Sequence, residues 1–129
     1  MTVLDASALL AYLREEAGAN IVERALAEDA VIGALILAEA LSKLTDSGEA
    51  PDRVLDAITR LPLDVVPFDA DLAVESGRLR PLTSKAGLSL GDRASLALGL
   101  RLGRRVLTAN AAWVQLVPGR GRRGDPIGH

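Results

Sequence analysis

Four short apolar runs, Val3-Leu4, Ala30-Val31-Ile32, Asp64-Val65-Val66 and Arg105-Val106-Leu107-Thr108, lie too far apart in the chain to be joined by hairpin turns. Each gap between them carries apolar residues at helical spacing. Parallel strands need a long crossover, usually a helix, whereas antiparallel neighbours can be joined by two residues. The pattern therefore predicts an α/β fold with a short parallel sheet covered by helices on both faces.

The helical segments can be placed from their caps. Ser7 starts a helix through Leu9, Leu10 and Leu13, and a second, from about Ala19, carries Ile21, Val22, Ala25 and Leu26. Residues 35–47 form a third, ending at Gly48, with Leu35, Ala38, Leu41 and Thr45 expected on its apolar side and Glu39 beside Leu35. Pro51 opens a fourth with Val54, Leu55, Ile58 and Leu61, and Asp69 caps a fifth running to about Leu79. Ser89 and Asp92 have the spacing of a capping box before Leu96, Ala97, Leu100 and Leu102, and Gly103 is a natural stop. Asn110 is expected to lead a short helix around Trp113.

At 129 residues the chain has the size of one domain with a full core. Residues 1–117 read as that domain; residues 118–129, rich in Gly, Pro and Arg without hydrophobic period, read as a mobile tail. The residues are 49% hydrophobic and only 2% aromatic, so the core must be Leu, Ala, Val and Ile. There is no cysteine, which removes disulfides, thiol nucleophiles and thiolate metal sites. The single histidine is His129, the last residue, a poor place for a ligand or a catalytic base. No leader-like basic stretch precedes TVLD and no apolar run approaches the ~18 residues of a membrane span, so the expected location is cytoplasmic, away from membranes. Net charge is −2, and Arg120, Arg122 and Arg123 gather the positive charge at the tail, where they would add salt-sensitive affinity for phosphates.

Asp5, Glu39, Asp92 and Asn110 stand in apolar strings, VLDASALLAYL, LILAEALSKL, LSLGDRASLALGL and VLTANAAWVQL, each at a strand end or in a helix beside one. A carboxylate among leucines is costly unless it is paired or holds a cation. Ligands in open α/β sheets gather beyond the carboxyl ends of the strands, where Asp5, Asp92 and Asn110 are expected and where a helix could bring Glu39. Clustered carboxylate and amide oxygens suit Mg²⁺ or Mn²⁺ rather than zinc. Each residue also has an ordinary role open to it: Asp5 and Asn110 as N-caps, Asp92 as the partner of Ser89, and Glu39 as the i,i+4 partner of Lys43.

The segments DASALLAYL, AEALSKL, LSLGDRASLALGLRLG and LTANAAW together resemble, in order and spacing, the motifs of PIN-domain nucleases, and in particular the VapC-type toxins of bacterial toxin–antitoxin pairs. The resemblance runs from Val3 to about Leu116. It implies a three-layer α/β/α fold, endoribonuclease activity dependent on Mg²⁺ or Mn²⁺, an RNA substrate, a small antitoxin partner and a homodimer. Asp5, Glu39 and Asp92 carry over as acidic metal ligands, Ser7 and Thr108 as supporting hydroxyls, and Arg93 as a contact to RNA phosphate or one half of a surface ion pair. Asn110 stands where the family pattern has an acid; its amide keeps an oxygen for coordination and removes a negative charge.

Two other readings of the sequence remain open beside this one. A catalytically degenerate relative would bind its antitoxin, and RNA, without cutting, and Asn110 favours it. A phosphoacceptor domain of receiver or dehalogenase type would also place an Asp after a strand, but a dehalogenase needs a second Asp where this chain has Ser7. A receiver needs an adjacent acidic pair and a late-strand Lys, for which Arg105 is the nearest offer.

Overall fold

The computed structural model describes residues 1–109 and the backbone of residues 124–126. The chain runs β1 (Thr2–Leu4), α1 (Ala6–Leu13), α2 (Ala19–Glu28), β2 (Ala30–Gly33), α3 (Ala34–Asp46), α4 (Pro51–Thr59), β3 (Leu63–Val66), α5 (Ala70–Arg78), α6 (Arg80–Thr83), a 3-10 turn (Ser84–Ala86), α7 (Leu90–Leu102), β4 (Val106–Thr108) and β5 (Gly124–Pro126). The strands form one parallel sheet in the order β3-β2-β1-β4-β5. The chain moves outward from β1 through β2 to β3 and then returns to the other side of β1 for β4, so the order reverses beside the central strand.

Side chains alternate across a strand, and in β1 both directions are buried. Val3, Val31 and Val106 pack with Leu72 of α5 and Leu96 and Leu98 of α7. Leu4, Ala30 and Leu107 face the opposite way, onto Ala8 of α1 and Val22 and Leu26 of α2. Ile32 joins Leu9, Ile36, Leu44 and Val54 in a third cluster built by α1, α3 and α4. Helices thus cover both faces of the parallel sheet expected from the alternation of strand and helix, giving the three layers that the resemblance implied.

Local chemistry explains where the helices begin and end. Asp5 caps α1 and Asp69 caps α5, each accepting from the backbone N–H three residues on. Ser89 and Asp92 form the reciprocal capping box, and Gly103, with φ 65°, ends α7 in the left-handed conformation open to glycine. Arg101 near the end of α7 grips Asp69 with two parallel bonds of 2.9 and 3.0 Å, which holds that carboxyl down to about 2.

Three features depart from the sequence expectation. The buried row of α3 is Ile36, Ala40 and Leu44, whereas Ala38, expected to face inward, is exposed and Leu35 and Leu41 are half-buried. This helix carries apolar residues on several sides, and only the position of the sheet decides which row goes inward. The α6 segment and the 3-10 turn, rich in polar residues, carry no periodic signal. Finally, Gly124–Pro126, within the stretch read as a tail, pairs in parallel with β4, Leu107 opposite Asp125. Its hydrophobic pattern announces no strand, and its proline is compatible with a sheet edge. Asn110, the Trp113 helix, the tail arginines and His129 lie outside the described residues.

Gly99 shows how closely α7 lies on the sheet. A Cβ there would stand 2.6 Å from Val106 Cγ2 and 3.0 Å from the Arg104 carbonyl oxygen. Alanine is the better helix former, but here it has to push the helix off β4. Gly99→Ala is therefore expected to lower stability by roughly 1–3 kcal/mol in denaturant unfolding; an unchanged or higher stability would contradict this packing.

Candidate functional site

The pairing of Leu4 with Leu107 brings the carboxyl ends of β1 and β4 side by side, and Asp5 N–H extends the ladder to the Leu107 carbonyl at 3.1 Å. Asp5 and Thr108 therefore meet beside the strand where the sheet order reverses, the place where open α/β sheets collect ligands. Both are buried, Asp5 at 2% and Thr108 at 0% exposure.

The short hydrogen bonds to the Asp5 carboxylate gather at one oxygen. Oδ1 accepts from the Ala8 N–H at 2.8 Å and from the Ser7 hydroxyl at 2.7 Å, while Oδ2 is buried and has no hydrogen-bond partner among the described residues. Ser7 in turn accepts the Ala109 N–H at 2.8 Å and lies 3.2 Å from the Thr108 hydroxyl. This one serine thus ties the start of α1 to the end of β4. Burial pushes the Asp5 carboxyl up to about 6; the Thr108 hydroxyl, the Ala8 N–H and the Ser7 hydroxyl favour the ionised form and limit the rise, and the like charge of Asp92 adds to it.

Asp92 stands in the first turn of α7, half-buried, where its Oδ2 accepts the Ser89 N–H at 3.0 Å. Glu39 on α3 is 28% exposed, with Oε1 3.9 Å from Lys43 Nζ. The capping and ion-pair roles open to these two residues are both realised. Glu39 also lies against the same turn of α7, because a Cβ on Gly91 would meet its Oε2 at 2.5 Å. Two helices thus bring two further carboxylates toward the edge that Asp5 occupies. As posed, no three His, Cys, Asp or Glu side chains among the described residues form a group that could hold a metal ion.

Arg93 departs from expectation. It is neither a surface ion pair nor turned to solvent for a phosphate: it is 8% exposed, its Nη1 donates to the Ser76 carbonyl of α5 at 3.1 Å, and it makes no ion pair among the described residues. It follows Asp92 in a helix, so it points to a different face of α7, the one packed on α5. Asn110 follows Ala109, the last residue described before the gap. Two contributors were not singled out from sequence, the Ala109 N–H and Gly91; the position of Gly91 directly before Asp92 at a helix start was the available signal.

The family model for the PIN domain matches residues 2–116. The chain belongs to the PIN domain family. This PIN domain is similar in structure to VapBC2 of Rickettsia felis, bound to a DNA fragment from its promoter, at 17% identity over 98% of each chain with a TM-score of 0.72. It is likewise similar to a DNA-bound VapBC from Salmonella typhimurium, at 21% identity, 97% of this chain and 96% of that one, TM-score 0.71. A third similar structure is Mycobacterium tuberculosis VapC20, described as a sarcin–ricin loop cleaving toxin, at 17% identity, 84% and 88% coverage and TM-score 0.67. No curated protein is similar enough in sequence to count as a match. No helix among the described residues of the PIN domain is long and apolar enough to cross a membrane.

The buried carboxyl of this PIN domain has a consequence for stability. The folded chain binds the Asp5 proton more tightly than the unfolded chain, whose Asp has a value of 3.8. The resulting stabilisation is fully present below pH 3.8 and is lost as pH rises through about 6. Asn keeps the Oδ1 cap without the charge, so Asp5→Asn in EDTA should remove this pH dependence and raise stability at pH 8 by about 2–3 kcal/mol. A variant less stable than the parent at pH 8 would contradict the assignment of the penalty to burial.

Proposed function

We propose that this PIN domain is a divalent-metal-dependent endoribonuclease that acts as the toxin of a bacterial toxin–antitoxin pair. The observation that carries the reading is the bare, buried Oδ2 of Asp5 beside the point where the sheet order reverses, with Asp92 close enough to act on its charge and Glu39 against the first turn of the helix that carries Asp92. An orphaned carboxylate oxygen beside further acids fits an oxygen-liganded cation, Mg²⁺ or Mn²⁺. Asp5 would hold it, with Asp92, Glu39 and the amide oxygen of Asn110 contributing.

When bound, such a cation offsets the mutual repulsion of the carboxylates and stabilises the charge that develops on a phosphate during hydrolysis. The protein's part is orientation. Ser7 and the Ala8 N–H fix the Asp5 carboxylate by Oδ1 and leave Oδ2 as its free donor. Ser7, Thr108 and the Ala109 N–H hold the end of β4 in place. Glu39 is 28% exposed, and Lys43 beside it supplies a positive charge at the rim for an incoming RNA. The structural likeness to VapBC complexes supports a small antitoxin as partner, and an arginine fork is the side chain suited to neutralise such carboxylates.

A second reading, a degenerate PIN domain that binds its antitoxin and RNA without cleaving, is favoured by two observations. Asp92 and Glu39 are engaged by the Ser89 N–H and Lys43, and position 110 is an amide rather than an acid. Cleavage of RNA in Mg²⁺ or Mn²⁺ and in EDTA separates the two. The nuclease reading expects metal-dependent cutting that Asp5→Asn lowers on the order of a hundredfold or more with the fold retained. Equal activity in EDTA overturns metal dependence, and no cutting in either condition leaves the binding reading.

Asn110 gives an independent check of the same reading. Its amide brings no formal charge to a divalent ion, so Asn110→Asp should tighten Mn²⁺ binding and raise the cleavage rate with little change in stability. Equal affinity and rate in both proteins would reduce Asn110 to a structural role.

A further inference from the structure

Gly91 is the second residue of α7, and its environment differs from that of the other described glycines. A Cβ built on Gly99 meets Val106 and the Arg104 carbonyl, one on Gly33 meets Ile36 and Leu98, and those on Gly48, Gly77 and Gly87 meet nothing within 4 Å. At Gly91 the three atoms nearest that Cβ all belong to Glu39: Oε2 at 2.5 Å, Cδ at 2.9 Å and Oε1 at 3.0 Å. Both oxygens and the carbon between them lie within 3.0 Å of that point, so the whole carboxylate group rests over the Gly91 Cα.

We propose that Gly91 is a positioning residue for the acidic site: its missing side chain is the seat that holds the Glu39 carboxylate of α3 against the first turn of α7, one residue from Asp92. The inference rests on the nuclease reading above and adds to it a residue that binds nothing itself. Packing alone does not call for glycine at this position. What fills the space is the free end of a flexible, part-exposed side chain, which can swing aside at little cost, unlike the backbone carbonyl and buried valine that confront Gly99. Glycine is also a poorer helix former than alanine, so the position gives up local stability that a plain helix start would keep. The seat explains the choice. An anion there gains from the positive end of α7, and filling the seat would send the carboxylate toward Lys43 and solvent.

The test uses the full chain and Mn²⁺ as probe, with calorimetric titration for affinity and thermal unfolding in EDTA for the fold. Gly91→Ala should leave Tm unchanged or raise it, while weakening Mn²⁺ binding about tenfold, the lower end of what outer-shell changes cost at metal sites. In a Glu39→Gln background the same substitution should have no further effect on Mn²⁺ affinity, because the group it displaces no longer carries a charge. Equal Mn²⁺ affinity for the parent and Gly91→Ala overturns the inference and leaves the nuclease reading intact. So does an undiminished loss in the Glu39→Gln background, or a fall in Tm as large as that of Gly99→Ala, which would mark Gly91 as a packing residue. A parent chain that takes no Mn²⁺ overturns the metal-dependent reading and this inference together.

Discussion

The Asp5 carboxylate couples the local, the long-range and the chemical levels of this structure. Through Oδ1 it begins α1, and through Ser7 it reaches the backbone at the end of β4, about a hundred residues away in sequence. The parallel pairing of β1 with β4 places its N–H on the Leu107 carbonyl, so the residue is locked at both ends of its backbone and on one face of its side chain. What remains is a single oxygen, buried and without a hydrogen-bond partner among the described residues. Its burial cost appears directly as a carboxyl that holds its proton to about pH 6. Folding energy is given up there, at the carboxyl end of the central strand, and that cost is the ground on which Asp5 is proposed as the centre of the site.

The other two acids have structural roles that leave room for the chemical one proposed for them. Asp92 completes the capping box that starts α7, and Glu39 pairs along its own helix with Lys43. Both interactions are local and exposed enough to yield to a stronger partner, whereas the grip on Asp5 is buried and crosses the sheet. A hierarchy follows in which Asp5 is preorganised and Asp92 and Glu39 are held nearby by replaceable contacts.

Much of this could be read from the sequence because the informative signals were local. Strand and helix alternation pointed to the parallel sheet, the family resemblance to the three layers, and caps such as Asp5, Asp69 and Ser89 placed helix starts within a residue or two of where they are. The acids stood out because they interrupt apolar strings, and the capping roles of Asp5 and Asp92 and the ion pair of Glu39 with Lys43 were legible from their spacing. What the sequence hid depends on direction and distance. Arg93 neighbours Asp92 in the chain, yet the helix turns it toward Ser76 of α5. The inward row of α3 depends on where the sheet lies, and α6 and β5 have no hydrophobic period of their own. Gly91 showed in the sequence only as a glycine beside Asp92; that a side chain from another helix occupies the space it leaves appears only in three dimensions.

Whether Oδ2 of Asp5 is a cation's ligand is tested most directly by crystallography with Mn²⁺. Anomalous diffraction from crystals equilibrated with Mn²⁺ should show a peak at coordination distance, about 2.0–2.3 Å, from Asp5 Oδ2, with Asp92 or Glu39 turned toward it. A map that is featureless at Asp5 in crystals that bind Mn²⁺ elsewhere, or that shows a protein hydrogen bond to Oδ2 in place of a cation, would contradict it.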